Sequence, residues 1–228
     1  GTVTRRLGTM PRPSSPRQSR PEAWFAGVQG RAVLASEWPD LVLAPAERPG
    51  IAILCVSAMS RPKGWSQATQ GHGVWLRAHG EEYDGDVRCG QEWPLVNESV
   101  GTVVLQHAAD CGADWDIQLS EAERVLVPGG RVWLFALNPL SPYRRLWWRE
   151  GLEAVEPFTW RRRLRTHGLE PDAVAEGIGP GWAARPAPGL QVGAGARAAY
   201  RLRGEKRRIP LTPARARRAP VVPVLDRA

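Results

Sequence analysis

Apolar and polar positions change rhythm several times along this chain, and each change predicts an element. From Trp24 to about Glu47 the sequence is dominated by Ala, Leu and Val, which predicts helical structure broken near Pro39. Pro49-Gly50 predicts a turn. Ile51–Val56 is a nearly continuous apolar run, the pattern of a strand buried on both faces of a parallel sheet. A polar loop follows, with Val74–Leu76 as a second strand and Gly85–Cys89 as a weaker third.

The next stretch is clearer. Gly101–Gln106 is rich in β-branched residues and predicts a strand. Asp110 to Asp114 can start a helix, because Asp is a good N-cap. Trp115, Leu119, Ala122 and Leu126 then recur on one helical face, with Glu121, Glu123 and Arg124 beside it. Pro128-Gly129-Gly130 predicts the end of that helix, Arg131–Leu137 the next strand, and Asn138-Pro139 its end. Strand, helix and strand in this order make a βαβ unit, so the fold class is α/β with a mostly parallel sheet and helices on both faces. Downstream, Tyr143–Arg149 reads as a Trp- and Arg-rich loop and Thr159–His167 as a short helix. Val174–Ile178 and Ala198–Leu202 read as closing strands.

Charge divides the chain differently. Its formal net charge is +8, but residues 1–20 carry five arginines and no acid. Residues 197–228 carry ten basic and two acidic residues, so the span between these ends is net acidic. The expected organisation is a disordered basic arm over 1–21, one α/β domain over 22–203, and a disordered Pro/Arg-rich tail over 204–228. Such ends suit non-specific contact with a nucleic-acid backbone, or serve only solubility. Cys55, Cys89 and Cys111 are odd in number and lack paired spacing, which excludes a disulfide framework and a zinc motif. The longest apolar run, Ile51–Met59, is far short of the roughly 18 residues that span a bilayer, so a cytoplasmic protein without membrane contact is expected.

Several of these stretches carry a family resemblance. Trp93-Pro94-Leu95 and Glu98–Leu105 are similar to the loop after the third strand and to the fourth strand of class I S-adenosylmethionine-dependent methyltransferases. Glu121–Gly130 (Glu-Ala-Glu-Arg-Val-Leu-Val-Pro-Gly-Gly) resembles that family's helix and the turn before strand five. Asn138-Pro139-Leu140 resembles a strand-five ending of a bacterial, type 11-like subgroup with a degenerate glycine-rich motif.

The resemblance implies a Rossmann-like methyltransferase sheet, S-adenosylmethionine as cofactor and a methyl acceptor that the sequence does not name. It places cofactor contacts at Val56, Ser57 and Ala58 after strand one, at Gln91, and at Gln106 and His107 after strand four. Where the family carries a glycine-rich turn, this chain has Cys55-Val56-Ser57-Ala58-Met59-Ser60. Where the family carries an acid for the ribose hydroxyls, it has Arg77-Ala78-His79-Gly80-Glu81-Glu82. Glu81 can serve if the second strand runs past Leu76.

His107 is the expected general base if the reaction uses one, and its other reading is a structural histidine bonded to backbone. Asn138 is a substrate contact or a turn cap. Tyr143, Trp147 and Trp148, among Arg144, Arg145 and Arg149, form a lid or base-stacking platform, or pack on the sheet. No Ser–His–Asp, paired-carboxylate or metal-ligand spacing stands out. Two functions follow: methyl transfer, or a catalytically inactive methyltransferase fold acting as a binding or regulatory module, with nucleic-acid contacts through the basic ends compatible with either.

Overall fold

The computed structural model describes residues 20–207. The elements run α1 (Arg20–Ala26), α2 (Val28–Leu43), β1 (Ala52–Ser57), α3 (Trp65–Ala68), β2 (Gly73–His79), β3 (Glu82–Gly85) and β4 (Val100–Gln106). They continue as α4 (Trp115–Val125), β5 (Leu126–Leu137), α5 (Arg144–Glu150), α6 (Pro157–Thr166), β6 (Leu169–Pro171), β7 (Glu176–Ile178), β8 (Gln191–Val192) and β9 (Ala199–Lys206). The strands form one sheet in the order β3-β2-β1-β4-β5-β9-β7-β8, with β6 paired to β9. Its centre, β2-β1-β4-β5, is parallel, and the flanks are antiparallel. This is the mostly parallel α/β sheet that the apolar runs predict, in the Rossmann-like form that the resemblance implies.

Residue alternation along the central strands assigns the two faces. Leu54, Val56, Val103, Leu105, Val132 and Leu134 pack with α4 and α6. Ile53, Cys55, Val104, Trp133, Phe135 and Leu137 pack with α1, α2, α3 and α5. Tryptophan supplies much of the bulk, since Trp65, Trp75, Trp93, Trp147 and Trp160 are all fully buried. Full burial of a large apolar side chain contributes roughly 1.5–3 kcal/mol.

The structure departs from the sequence expectations at definite places. Helical structure breaks at Gly27, which is extended (φ −73°, ψ 175°), and not at Pro39, which lies inside α2. Tertiary contacts hold α2 through the proline: Glu37 bonds to Gln106, and Arg201 bonds to Asp40. At Gly30 an added Cβ would stand 2.3 Å from Phe25 Cα, so glycine lets α1 fold tightly back on α2.

Strand two runs to His79, three residues beyond Leu76. Gly80 (φ +59°) then reverses the chain, and the third strand is the antiparallel β3, not Gly85–Cys89. Cys89 contributes an isolated bridge to Tyr83. Asp114 does cap α4, accepting from Asp116 N at 2.9 Å and Ile117 N. That helix ends at Val125, before Pro128-Gly129-Gly130, which instead lies within β5 beside a register shift between Val100 and Thr102. Leu126 already pairs with Val100, and sheet pairing wins over continuing the helix.

Tyr143–Arg149 is largely the helix α5, not a loop. The domain begins earlier than Glu22, since Arg20 and Pro21 start α1, where proline is tolerated in a first turn. It also runs past Arg203, because Gly204, Glu205 and Lys206 pair within the sheet. The remainder of both basic ends, and the nucleic-acid contact expected of them, lies outside the described residues. None of the described helices is long and apolar enough to cross a membrane.

Candidate functional site

Parallel strands end together, so β1, β2, β4 and β5 deliver Ser57, His79, Gln106 and Leu137 to one edge of the sheet. In open α/β sheets this carboxyl edge is where ligands bind. Two different environments lie along it.

Over the ends of β1 and β4 the edge is sealed. Ser57 and Gln106 continue the alternation that points toward α2, where Glu37 waits. The Ser57 hydroxyl donates to Gln106 Oε1 at 3.0 Å, and the Gln106 amide donates to Glu37 Oε2 at 2.8 Å. His107 Nε2 lies 2.8 Å from Glu37 Oε1, and its Nδ1 lies 2.7 Å from Asp110 Oδ2. The same Asp110 oxygen accepts the Leu137 N–H at 2.8 Å. All of these side chains are buried, Glu37 at 0% and His107 at 1% exposure. The Phe25 ring covers the imidazole at a centroid distance of 4.6 Å.

With a carboxylate on each ring nitrogen, His107 can donate from both and is held as imidazolium. Burial alone would lower its pKa, but the Glu37 charge and the bonds to Asp110 and Glu37 override burial and push it up to about 10. Burial also raises the Asp110 carboxyl, against the pull of the imidazolium. Both directions say that the sealed cluster holds its proton more tightly than water would. His107 adopts φ +54°, a left-handed conformation that costs a non-glycine residue about 1 kcal/mol, and the cluster holds it there.

Helix α1 forms the roof over this edge. Glu22 Oε1 lies 3.0 Å from His79 Nδ1 at the end of β2, and Trp24 packs edge-on against Trp147 of α5. The Glu22–His79 contact is about one-third exposed and therefore a weak tie.

Beyond β2 the edge opens into a cleft of about 490 Å³. Gly80, Glu81 and Gln91 line it together with Gly112 of the turn after β4. Glu153 and Arg163 complete the wall, the guanidinium of Arg163 lying 4.0 Å from the Trp115 ring centroid. A second cleft of about 900 Å³ opens beside α5 and shares Glu153 and Val155 with the first.

The expected site residues are therefore divided. Ser57, Gln106 and His107 are brought together, with Ala58 N donating to the Gln106 carbonyl at 3.2 Å. Val56 points to the opposite face, into the core with α4. Gln91 stands apart and lines the open cleft, where the longer β2 also places Glu81. Asn138 is a turn and loop anchor: it donates to Gly195 O and Arg197 O at 2.9 Å and accepts the Leu140 N–H. Trp147 packs inward, as expected of a segment that packs on the sheet, while Trp148 is 85% exposed.

Glu37, Asp110, Phe25 and Glu22 were not legible as site residues. A carboxylate inside an apolar helical stretch was the available signal for Glu37. The i, i+3 spacing of His107 and Asp110 was the signal for the second carboxylate.

No family model matches the chain, and no curated protein matches it in sequence. Solved structures do match. A SAM-dependent methyltransferase of Thermotoga maritima aligns over 82% of this chain and 94% of its own at 17% identity, with a TM-score of 0.56. One from Archaeoglobus fulgidus aligns over 81% and 97% at 12% identity, TM-score 0.55. Geranyl diphosphate C-methyltransferase of Streptomyces coelicolor, solved with S-adenosyl-L-homocysteine, aligns over 85% and 100% at 15% identity, TM-score 0.54. The fold is that of class I S-adenosylmethionine-dependent methyltransferases. In this methyltransferase fold the sealed cluster stands over the β1 and β4 ends, and the open cleft follows β2.

Proposed function

We propose that the chain binds S-adenosylmethionine at the carboxyl edge of its sheet and transfers the methyl group to a separate acceptor. The observation that carries this reading is the cleft after β2, which gathers an acid and an amide on this fold. Glu81, at the turn after β2, suits the paired hydroxyls of a ribose, because a carboxylate accepts two hydrogen bonds. Gln91 offers both a donor and an acceptor to an adenine edge. Gly112 and Ala113 leave room beside them.

The fit differs at the other end. Ser57, Ala58, Gln106 and His107 are the strand-end residues for a methionine moiety, but Phe25 and Glu37 cover them. Occupancy of that end requires both Phe25 of α1 and Glu37 of α2 to move aside, and the partly exposed Glu22–His79 contact is the tie of α1 that opens at least cost.

When bound, S-adenosylmethionine supplies a methyl group on a sulfonium, already strongly electrophilic. The protein's own contribution is then to orient the partners and exclude water, which general physical arguments credit with much of the barrier reduction. His107, sealed between two carboxylates, holds a proton in the roofed state and does not accept one; it orders the end of β4.

Titration with S-adenosyl-L-homocysteine tests the reading. At one hundred times its dissociation constant a ligand adds about 2.7 kcal/mol, an upward melting shift of roughly 5–10 °C for a domain of this size. Absence of any shift or calorimetric heat at millimolar ligand would overturn it.

A further inference from the structure

The cleft beside α5 differs chemically from the one that holds Glu81 and Gln91. Its volume of about 900 Å³ is that of a site for a small organic molecule. One part of its wall is apolar: Leu140 is 70% exposed and Trp148 85%, over a floor that includes Trp147 and Leu152. Another part is cationic. Arg144 and Arg145 line this cleft and not the smaller one, and both are exposed.

Several arginines of the domain pair with acids, as in Arg77 with Asp84, Arg201 with Asp40 and Arg203 with Asp172. Neither Arg144 nor Arg145 has a carboxylate partner among the described residues. The acid on this wall, Glu153, stands where the two clefts meet, with its backbone N–H bonded to the Asp110 carbonyl at 2.9 Å. The cleft thus carries two cations that no carboxylate pairs among the described residues, a broad aromatic and aliphatic surface, and an acid at the junction.

We infer that this cleft is the methyl-acceptor site and that it takes a small organic anion, an apolar ring or alkyl body bearing a carboxylate or a phosphate. The anionic group lies on Arg144 and Arg145, as guanidinium forks bind either oxyanion in two-point fashion. The body lies on Leu140 and Trp148. Glu153 repels the anionic end, so the uncharged part of the molecule faces the junction with the smaller cleft. The assignment as acceptor site rests on the methyl-transfer reading; the anion selectivity does not.

The test is binding of three probes of one shape to the full chain: 2-naphthoate, 2-naphthyl phosphate and uncharged 2-naphthol, followed by calorimetry without any cofactor. At least one anion should bind ten-fold or more tighter than 2-naphthol, and whichever does so identifies carboxylate or phosphate as the group read. The Arg144→Ala/Arg145→Ala double variant should lose that preference, and Arg144→Lys/Arg145→Lys should keep part of it. Trp148→Ala should weaken all three probes together. Equal binding of 2-naphthol and the anions, undiminished anion binding by the double alanine variant, or no binding of any probe at millimolar concentration would each overturn the inference. S-adenosyl-L-homocysteine titration of the same double variant separates the two readings. Retained S-adenosyl-L-homocysteine binding with lost anion preference is the expected result. Anion preference without S-adenosyl-L-homocysteine binding overturns the acceptor role.

Discussion

The two halves of the sheet's carboxyl edge are built from similar residue types and behave in opposite ways. Over β1 and β4, Ser57, Gln106, His107, Glu37 and Asp110 bond to one another and exclude solvent. Past β2, Glu81, Gln91 and Glu153 line open clefts. The difference lies in what covers them. Helices α1 and α2 lie over the first group, so each polar atom there must find a partner within the chain, because an unpaired buried group is costly. In the second group Glu81, Gln91 and Glu153 are exposed, and their polar atoms remain available to a ligand. Polar side chains at a strand end thus become structure or site according to whether the chain itself roofs them.

The largest effect should come from breaking the sealed half. Glu37→Ala removes one partner of a buried charge cluster and should cost about 3–5 kcal/mol, read as a lowered urea midpoint and a melting temperature down by roughly 10 °C. A loss under 1 kcal/mol would mean that the cluster is not closed in solution. Glu81→Ala, in the open half, should leave stability unchanged within about 0.5 kcal/mol.

The next effect is on pH dependence. His107 has its folded-state pKa raised above 6.5, so its stabilisation is fully present below pH 6.5 and is lost as pH rises through about 10. The raised Asp110 carboxyl acts in the same sense, since the folded state again binds the proton more tightly. Unfolding free energy should therefore fall across pH 6.5 to 10 by something on the order of 5 kcal/mol. His107→Gln should flatten that decline; a slope that survives the substitution would assign it elsewhere.

A smaller effect sharpens the open half. Glu81→Gln should weaken S-adenosyl-L-homocysteine about ten-fold, the loss expected when a charged acceptor of hydroxyl bonds becomes neutral. Calorimetry reads this directly, and unchanged affinity would remove Glu81 from the site. The smallest effect concerns the boundary between the halves. Glu22→Ala should cost less than about 1 kcal/mol, because its contact with His79 is partly exposed. It should nonetheless speed amide exchange in α1 and leave exchange in β4 unaffected. Equal acceleration in both would mean that α1 and the sheet open as one unit.

Much of the fold was legible because burial on both faces leaves a plain signature. Ile51–Val56, Gly101–Gln106 and Arg131–Leu137 read as strands since alternate residues of each serve two cores; the first two match their strands within a residue at each end, and the third is the latter part of β5. The antiparallel β3 was not legible, because a four-residue edge strand of Glu-Tyr-Asp-Gly carries little apolar pattern and depends on the turn at Gly80. Pro39 misled in a similar way, since its local cost is overridden by contacts of Glu37 and Asp40 more than sixty residues away in sequence.

By itself the sequence determined the class of fold, the order of the central elements and the edge where ligand-binding groups arrive. Hydrophobic periodicity is local, and it settles which residues become strands and which of their faces are buried. Only the tertiary structure decided which polar residues at that edge remain free. Glu37 meets His107 across seventy positions, while among the described residues no carboxylate pairs with Arg144 or Arg145. Pairing of charges is a property of distances in the folded chain, and a residue's type does not say which partner will arrive.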